Sequence, residues 1–183
     1  MGKSKVAPST SYSLGGAKDQ QYEQAATDLG RLLGVPRRSL AGVKGGFVFQ
    51  LTAAKARSLK LEKLHSDFLK RGCYVFSIDP ADDGRIAILP TADKYAVVAA
   101  MKTRGVNWNR STADIVRWLR RLEKTQLFIL TGISGEHVGG RFTTRVRQPA
   151  KLAEEIMMFS PDVADVELED ELRKTGKFTC WWT

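Results

Sequence analysis

Few residues of this 183-residue chain have the types and spacing that catalysis requires. The segment Gly132-Ile133-Ser134-Gly135-Glu136 approaches a nucleophile elbow, in which a strained turn presents a serine hydroxyl. The elbow needs glycine two residues after the serine, and this position holds Glu136. We therefore interpret the segment as an ordinary turn after a strand.

His137 follows this turn, in the Gly- and Arg-rich segment 135–147. The sequence shows no residue at a recognisable spacing that could act with His137 in acid–base catalysis, so we expect a solvated or structural histidine. We predict a loop here with a short edge strand over 141–146. An enzyme whose site is assembled from distant residues stays open as an alternative.

Three aspartates, Asp79, Asp82 and Asp83, stand close together between two apolar runs. Their surroundings, DPADDG, favour a hairpin turn, and no bidentate acid follows at the spacing of an EF-hand. The cysteines, Cys73 and Cys180, and the two histidines match no zinc spacing. We expect no metal and no cofactor, and a disulfide between the two cysteines stays open.

A basic stripe on one predicted helix is the main candidate for binding. The helix belongs to the stretch 103–132, and Ser111 and Asp114 resemble a capping box at its start. Apolar and basic residues then recur at three- and four-residue steps on separate faces. The basic stripe consists of Arg117, Arg120, Arg121 and Lys124. One interpretation is a docking surface that binds phosphates or an acidic protein. The other is a solvated helix face on which the aliphatic parts of the Lys and Arg side chains cover apolar surface.

The net charge of +9 favours polyanions or acidic proteins as partners. The acidic end, residues 148–183, with 8 acidic against 4 basic side chains, suits nucleic acid poorly. No stretch has the length of a membrane span, and the first residues lack the apolar core of a secretory signal. We expect a cytoplasmic protein with no membrane contact.

The remaining pattern predicts an α+β fold: a single domain with a mixed or antiparallel sheet of about five strands, covered by helices. Residues 1–18 are expected to form a flexible tail and residues 19–183 the domain, with a loop over 35–46. Helices are predicted over 20–33, 52–71, 93–102, 111–126, 149–159 and 166–174. Strands are predicted over 47–51, 73–78, 85–89, 127–130, 141–146 and 177–182, with the strand 127–130 buried on both faces.

Three segments share their order and spacing with a known family. They are TRGVNWNRSTADIVRWLRRLEKTQLFILTGI at 103–133, LAEEIMMFSPDVAD at 152–165 and LRKTGKFTCWWT at 172–183. Together they resemble the bacterial domain-of-unknown-function family 4253, over about residues 85–183, which makes 19–84 a variable part. The matching positions of unknown role are Asn107, Pro161, Asp162, Trp181 and Trp182. Ser160 stands where the family often has Cys, and Thr183 where it often has Asp.

The resemblance implies a small cytoplasmic protein encoded beside a contact-delivered or polymorphic bacterial toxin. Our main hypothesis is a non-enzymatic immunity protein that binds a toxin with an acidic surface, through the basic stripe together with Arg104 and Arg110. The alternative is a nucleic-acid-binding accessory protein. Trp181 and Trp182 could stack on a ligand, but alternation in the final strand favours one ring in the core and the other over the edge.

Overall fold

A seven-stranded sheet forms the centre of the computed structural model, which describes residues 19–78, 84–163 and 167–182. The strands are β1 (Arg37–Ser39), β2 (Phe47–Gln50), β3 (Tyr74–Ser77), β4 (Arg85–Leu89), β5 (Phe128–Ile133), β6 (His137–Phe142) and β7 (Lys177–Trp181). Their spatial order is β1-β2-β4-β3-β5-β6-β7. Neighbouring strands are antiparallel, except for the parallel pair β3–β5. The predicted tail 1–18, the aspartates within 79–83 and Thr183 lie outside the described residues.

The α+β class is confirmed, but the sheet has seven strands rather than about five. The segment 35–46, predicted as a loop, contains β1, whose three residues are exposed and give no apolar pattern. The short edge strand predicted over 141–146 is instead β6, which runs from His137 to Phe142 and lies between β5 and β7 rather than at the edge of the sheet. The prediction failed there because Gly139 and Gly140 carry no side chains from which alternation could be read.

Helices cover both faces of the sheet. They are α1 (Asp19–Leu33), α2 (Ala53–Ser58), α3 (Leu61–Leu69), α4 (Lys94–Ala100), α5 (Thr112–Thr125), α6 (Pro149–Phe159) and α7 (Leu168–Lys174), with a 3₁₀ turn at Pro161–Val163. The single helix predicted over 52–71 is therefore wrong: Leu59 is extended, with φ −73° and ψ 126°, and separates α2 from α3. The predicted cap of α2 is confirmed, since Thr52 Oγ1 accepts a hydrogen bond from Lys55 N at 3.3 Å.

Side-chain alternation divides the core into two clusters, one on each face of the sheet. In β3, Tyr74 and Phe76 join the larger cluster with α4, α5, α6 and α7, whereas Val75 joins the smaller one with α1 and α3. The smaller cluster draws its buried strand residues from the half of the sheet formed by β2, β4 and β3. On that face, the described residues of β5, β6 and β7 contribute nothing to the smaller cluster.

The predictions for the helix α5 and for the strand β5 after it had different outcomes. The capping box is confirmed: Ser111 Oγ accepts from Asp114 N at 3.2 Å, and the Asp114 carboxylate accepts from Ser111 N at 3.1 Å. The apolar face of α5 is buried as predicted. The prediction that the next strand is buried on both faces is wrong, because Leu127 is 60% exposed and Ile129 is only half-buried. One face of β5 packs on the larger core cluster, and on the other face Ile129 and Thr131 are half-buried.

Both cysteines are free and buried, on opposite faces of the sheet. Cys73 lies in the smaller cluster and Cys180 in the larger, so the disulfide that the sequence left open is not formed. Burial raises the pKa of both thiols. Among the described residues, no helix combines the length and apolarity that crossing a bilayer requires. The same residues contain no group of three or more His, Cys, Asp or Glu placed to hold a metal ion.

Candidate functional site

A groove of about 1210 Å³ lies over β5, β6 and β7. Its floor carries Thr131 from β5, His137 from β6 and Thr179 from β7. Trp181 of β7 also lines the groove and packs in part against the larger core cluster. Ser77, at the end of β3, completes the floor. One wall is the junction of α2 and α3, and the opposite wall is formed by the 3₁₀ turn and α7.

His137 rests on two glycines of the groove floor. A Cβ atom on Gly132 would lie 3.0 Å from the imidazole Cε1, and one on Gly139 would lie 2.9 Å from it, so side chains there would displace the ring. Its Nε2 is 2.6 Å from Thr179 Oγ1, and its ring lies 5.5 Å from the Trp181 ring. The residue is 1% exposed, which makes it a structural part of the floor and excludes the solvated alternative.

This arrangement has a defined chemical capacity. An imidazole within hydrogen-bond reach of a hydroxyl orients that hydroxyl and can polarise it. Thr179 is half-buried, so a molecule in the groove reaches its hydroxyl before it reaches the ring of His137. The sequence did not reveal this pair because 42 residues separate its members, and only the pairing of β6 with β7 brings them together.

The two walls of the groove carry opposite charges. The basic wall, on α2 and α3, comprises the exposed Arg57, Lys60 and Lys63. The acidic wall, at the 3₁₀ turn and α7, comprises the exposed Asp162, Glu167 and Glu171. A bound molecule would therefore be oriented, with its negative end toward α2 and α3.

An arginine–carboxylate pair ties α3 to the floor of the groove. Arg141, on β6, donates from Nε to Glu62 Oε1 at 2.8 Å and from a terminal nitrogen to Glu62 Oε2 at 2.5 Å. The hydrogen bonds to Glu62 raise the pKa of Arg141 above its ordinary value. Such a two-pronged pair has a fixed geometry, so it holds the basic wall at a set distance from the sheet.

The two C-terminal tryptophans have separate roles, as alternation predicted. Trp182 is fully buried, donates from Nε1 to Phe159 O at 3.1 Å, and leaves no room for a side chain at Gly105. Trp181 is half-buried and lines the groove beside His137. The ring of Trp181 is therefore the aromatic surface that the site offers to a ligand.

The other family positions collect at the same end of the sheet. Ser160 Oγ donates to Trp181 O and accepts from Trp181 N, both at 2.7 Å. Pro161 begins the 3₁₀ turn, and the Asp162 carboxylate accepts from Trp108 Nε1 at 2.9 Å. Asn107 is exposed in the turn before α5. These contacts join the three sequence segments into one assembly that positions Trp181 at the groove.

The basic stripe lies across the sheet from the groove, on the outer face of α5. All four of its side chains are exposed. Arg117 pairs with Asp114 at 2.8 Å, and the guanidinium of Arg120 lies 4.8 Å from the centre of the Tyr95 ring. Among the described residues, Arg121 and Lys124 take part in no salt bridge. These two cations are the ones that can pair with a partner without breaking an internal contact.

The structure brings one of the two additional arginines to the stripe. Arg110 lies over the Phe159 ring at 5.0 Å and lines, with Arg117 and Arg121, a shallow groove of about 510 Å³ between α5 and α6. Met158, 73% exposed, lies in the same groove. Arg104 is exposed but does not line this groove, and its backbone N–H donates to Gly135 O beside the β5–β6 turn.

The fold and site define an α+β domain whose family-like half builds most of an open groove. The chain belongs to the family described as Domain of unknown function (DUF4253), whose sequence profile matches residues 85–183. The matched range holds β4 to β7 and α4 to α7, with the acidic wall and all of the groove floor except Ser77, whereas the basic wall lies before it. Comparisons with curated proteins and with solved structures gave no match.

Proposed function

We propose that this protein is a non-enzymatic, immunity-type protein that binds and neutralises a cognate toxin through the surface of α5 and α6. The observation that carries the proposal is the combination of an exposed apolar side chain with cations around it. Met158 is 73% exposed, and Arg110, Arg117 and Arg121 line the same shallow groove. We call these four residues, together with Arg120 and Lys124, the α5–α6 surface.

The physical character of this surface suits protein recognition. An apolar centre with a polar rim, enriched in arginine and methionine, is the composition of many interfaces. A flexible methionine adapts to the shape of its partner, and charged neighbours accelerate encounter and fix orientation. Arg121 and Lys124 are exposed and form no salt bridge among the described residues, and Asp114 and Glu155 line the same groove as Arg121.

The exposed cations of the α5–α6 surface favour a protein partner with an acidic surface. Toxins that attack nucleic acids are usually basic themselves, so the net charge of +9 favours a target of another class. The function needs a rigid scaffold rather than a catalytic site, and α5 supplies one because its apolar face is anchored in the larger core cluster.

The test begins with affinity capture of the tagged protein from its native organism, with and without nuclease. A captured acidic protein must inhibit growth when expressed alone and lose that effect when this chain is co-expressed. Purified partners are then compared by calorimetry, using Arg121→Glu/Lys124→Glu as the test and Arg57→Glu/Lys60→Glu as the control. Both variants change the net charge equally, and they alter opposite sides of the sheet.

We expect the α5 variant to weaken binding at least tenfold, about 1.4 kcal/mol, and the control variant to bind like the unmodified protein. Equal affinity in both variants would contradict the assignment of this surface. Capture of nucleic acid that disappears on nuclease treatment, with binding that falls steeply with salt, would support the nucleic-acid alternative instead.

A further inference from the structure

The groove on β5, β6 and β7 lies on the sheet face opposite the α5–α6 surface, and the proposed function does not use it. It combines a half-buried aromatic ring, three floor hydroxyls and two walls of opposite charge. We propose that the groove binds a nucleoside phosphate, with its base against Trp181 and its phosphates between Arg57, Lys60 and Lys63.

Trp181 is held in a position suited to stacking. Its backbone is fixed on both sides: β7 pairs with β6, and Ser160 binds the outward N–H and C=O of Trp181. Its ring lies 5.5 Å from His137 at an interplanar angle of 58°, and the part not covered lines the groove. Every base has a flat π face, and a fixed indole binds it without the cost of ordering a mobile side chain.

The basic wall suits phosphate in both charge and position. Lys60 and Lys63 form no salt bridge among the described residues, and Arg57 stands on the same wall. The basic wall is anchored at Glu62, which pairs with Arg141 opposite Lys177 of β7. Trp181 lies four residues from Lys177 along β7, a distance of about 13 Å. An extended nucleoside di- or triphosphate spans such a distance between its base and its terminal phosphate.

The acidic wall and the floor fit the remainder of the ligand. The carboxylates of Asp162 and Glu167 lie on the Trp181 side, where they can accept from the amino group of a base, since each carboxylate accepts several hydrogen bonds. The hydroxyls of Thr131 and Thr179 lie between the walls and match the polarity of a ribose. Negative charge beside Trp181 repels phosphate, so one orientation of the ligand is favoured.

The test is equilibrium binding of ATP, GTP and inorganic tripolyphosphate to the full chain at 150 mM salt, followed by calorimetry and by tryptophan fluorescence. The variants are Trp181→Leu, which removes the stacking ring, and Lys60→Glu/Lys63→Glu, which reverses exposed charges on the basic wall. Arg121→Glu/Lys124→Glu, on the opposite side of the sheet, is the control because it changes the net charge equally.

We expect saturable binding of one nucleotide, at least tenfold weaker in both groove variants and unchanged in the control. Tripolyphosphate bound as tightly as the nucleotides and insensitive to Trp181→Leu would overturn the proposal, since only an anion site would remain. Absence of saturable nucleotide binding up to millimolar concentration would also overturn it. Because the α5–α6 surface is tested with a protein partner, neither result decides the proposed function.

Discussion

Replacing Ser160 by alanine tests whether one hydroxyl holds the edge of the sheet and, with it, the groove. Ser160 is fully buried. In β7 the N–H and C=O of Trp181 point away from β6, so the ladder leaves them unpaired, and the Ser160 hydroxyl satisfies both at 2.7 Å. The Ser160 hydroxyl therefore makes the two hydrogen bonds that a further strand beside β7 would make with Trp181.

The magnitude follows from the number of groups that lose a partner. Ser160→Ala removes one donor and one acceptor and leaves two buried backbone groups unpaired, each costing about 1–3 kcal/mol. We expect the free energy of unfolding to fall by about 2–4 kcal/mol and the melting temperature by roughly 4–16 °C for a chain of this size. The stability of Ser160→Cys should lie between those of Ser160→Ala and the unmodified protein, because sulfur donates and accepts hydrogen bonds weakly.

Urea unfolding followed by circular dichroism measures the loss, with Ser58→Ala as the control. Ser58 is exposed and donates a single hydrogen bond to Lys55 O at 3.0 Å, so its replacement should change stability by less than about 0.5 kcal/mol. Hydrogen exchange of the Trp181 amide should accelerate in Ser160→Ala. A loss below about 1 kcal/mol, or a protected Trp181 amide, would refute the role assigned to this hydroxyl.

Two further predictions concern packing and pH. Gly140→Ala should abolish soluble folding, because the new Cβ would lie 2.0 Å from Ile129 O. Gly135→Ala is the control: nothing lies within 4 Å of its Cβ, so this variant should express like the unmodified protein. A folded Gly140→Ala protein would contradict the packing of β6 against β5. Burial lowers the pKa of His65, whose Nδ1 lies 2.9 Å from Val75 O, so the unfolded chain binds a proton that the folded chain excludes. Stability should therefore fall as the pH drops below about 6.5, and a urea midpoint equal at pH 7.5 and 5.5 would argue against this.

Local residue patterns were sufficient to predict most of the helices and to recognise the family. The helix α5 follows from a capping pair and a 3.6-residue period, both of which are encoded within a few residues. The three segments shared with the family are also local features, and the match over 85–183 is confirmed. Where the local signal was absent, as at the extended Leu59 between α2 and α3, the prediction failed.

For the candidate sites, too, the residues that are close in sequence could be predicted and those brought together by packing could not. The basic stripe could be found from the sequence because its members are neighbours on one helix, and the structure places all of them in solvent. The addition of Arg110 and Met158 to that surface required the packing of α6 beside α5. The groove was missed entirely, although His137 and Trp181 were each considered singly.

The α+β class, the main helices, the exposed basic stripe and the family could thus be predicted from local residue patterns. Three-dimensional packing was needed to show that β6 begins at His137, that Trp181 and Thr179 line one groove, and that the described residues of β5, β6 and β7 stay out of the smaller core cluster. The physical reason is the range of the interactions. Helix periodicity and capping act within about four residues, whereas strand pairing joins positions such as His137 and Thr179, 42 residues apart.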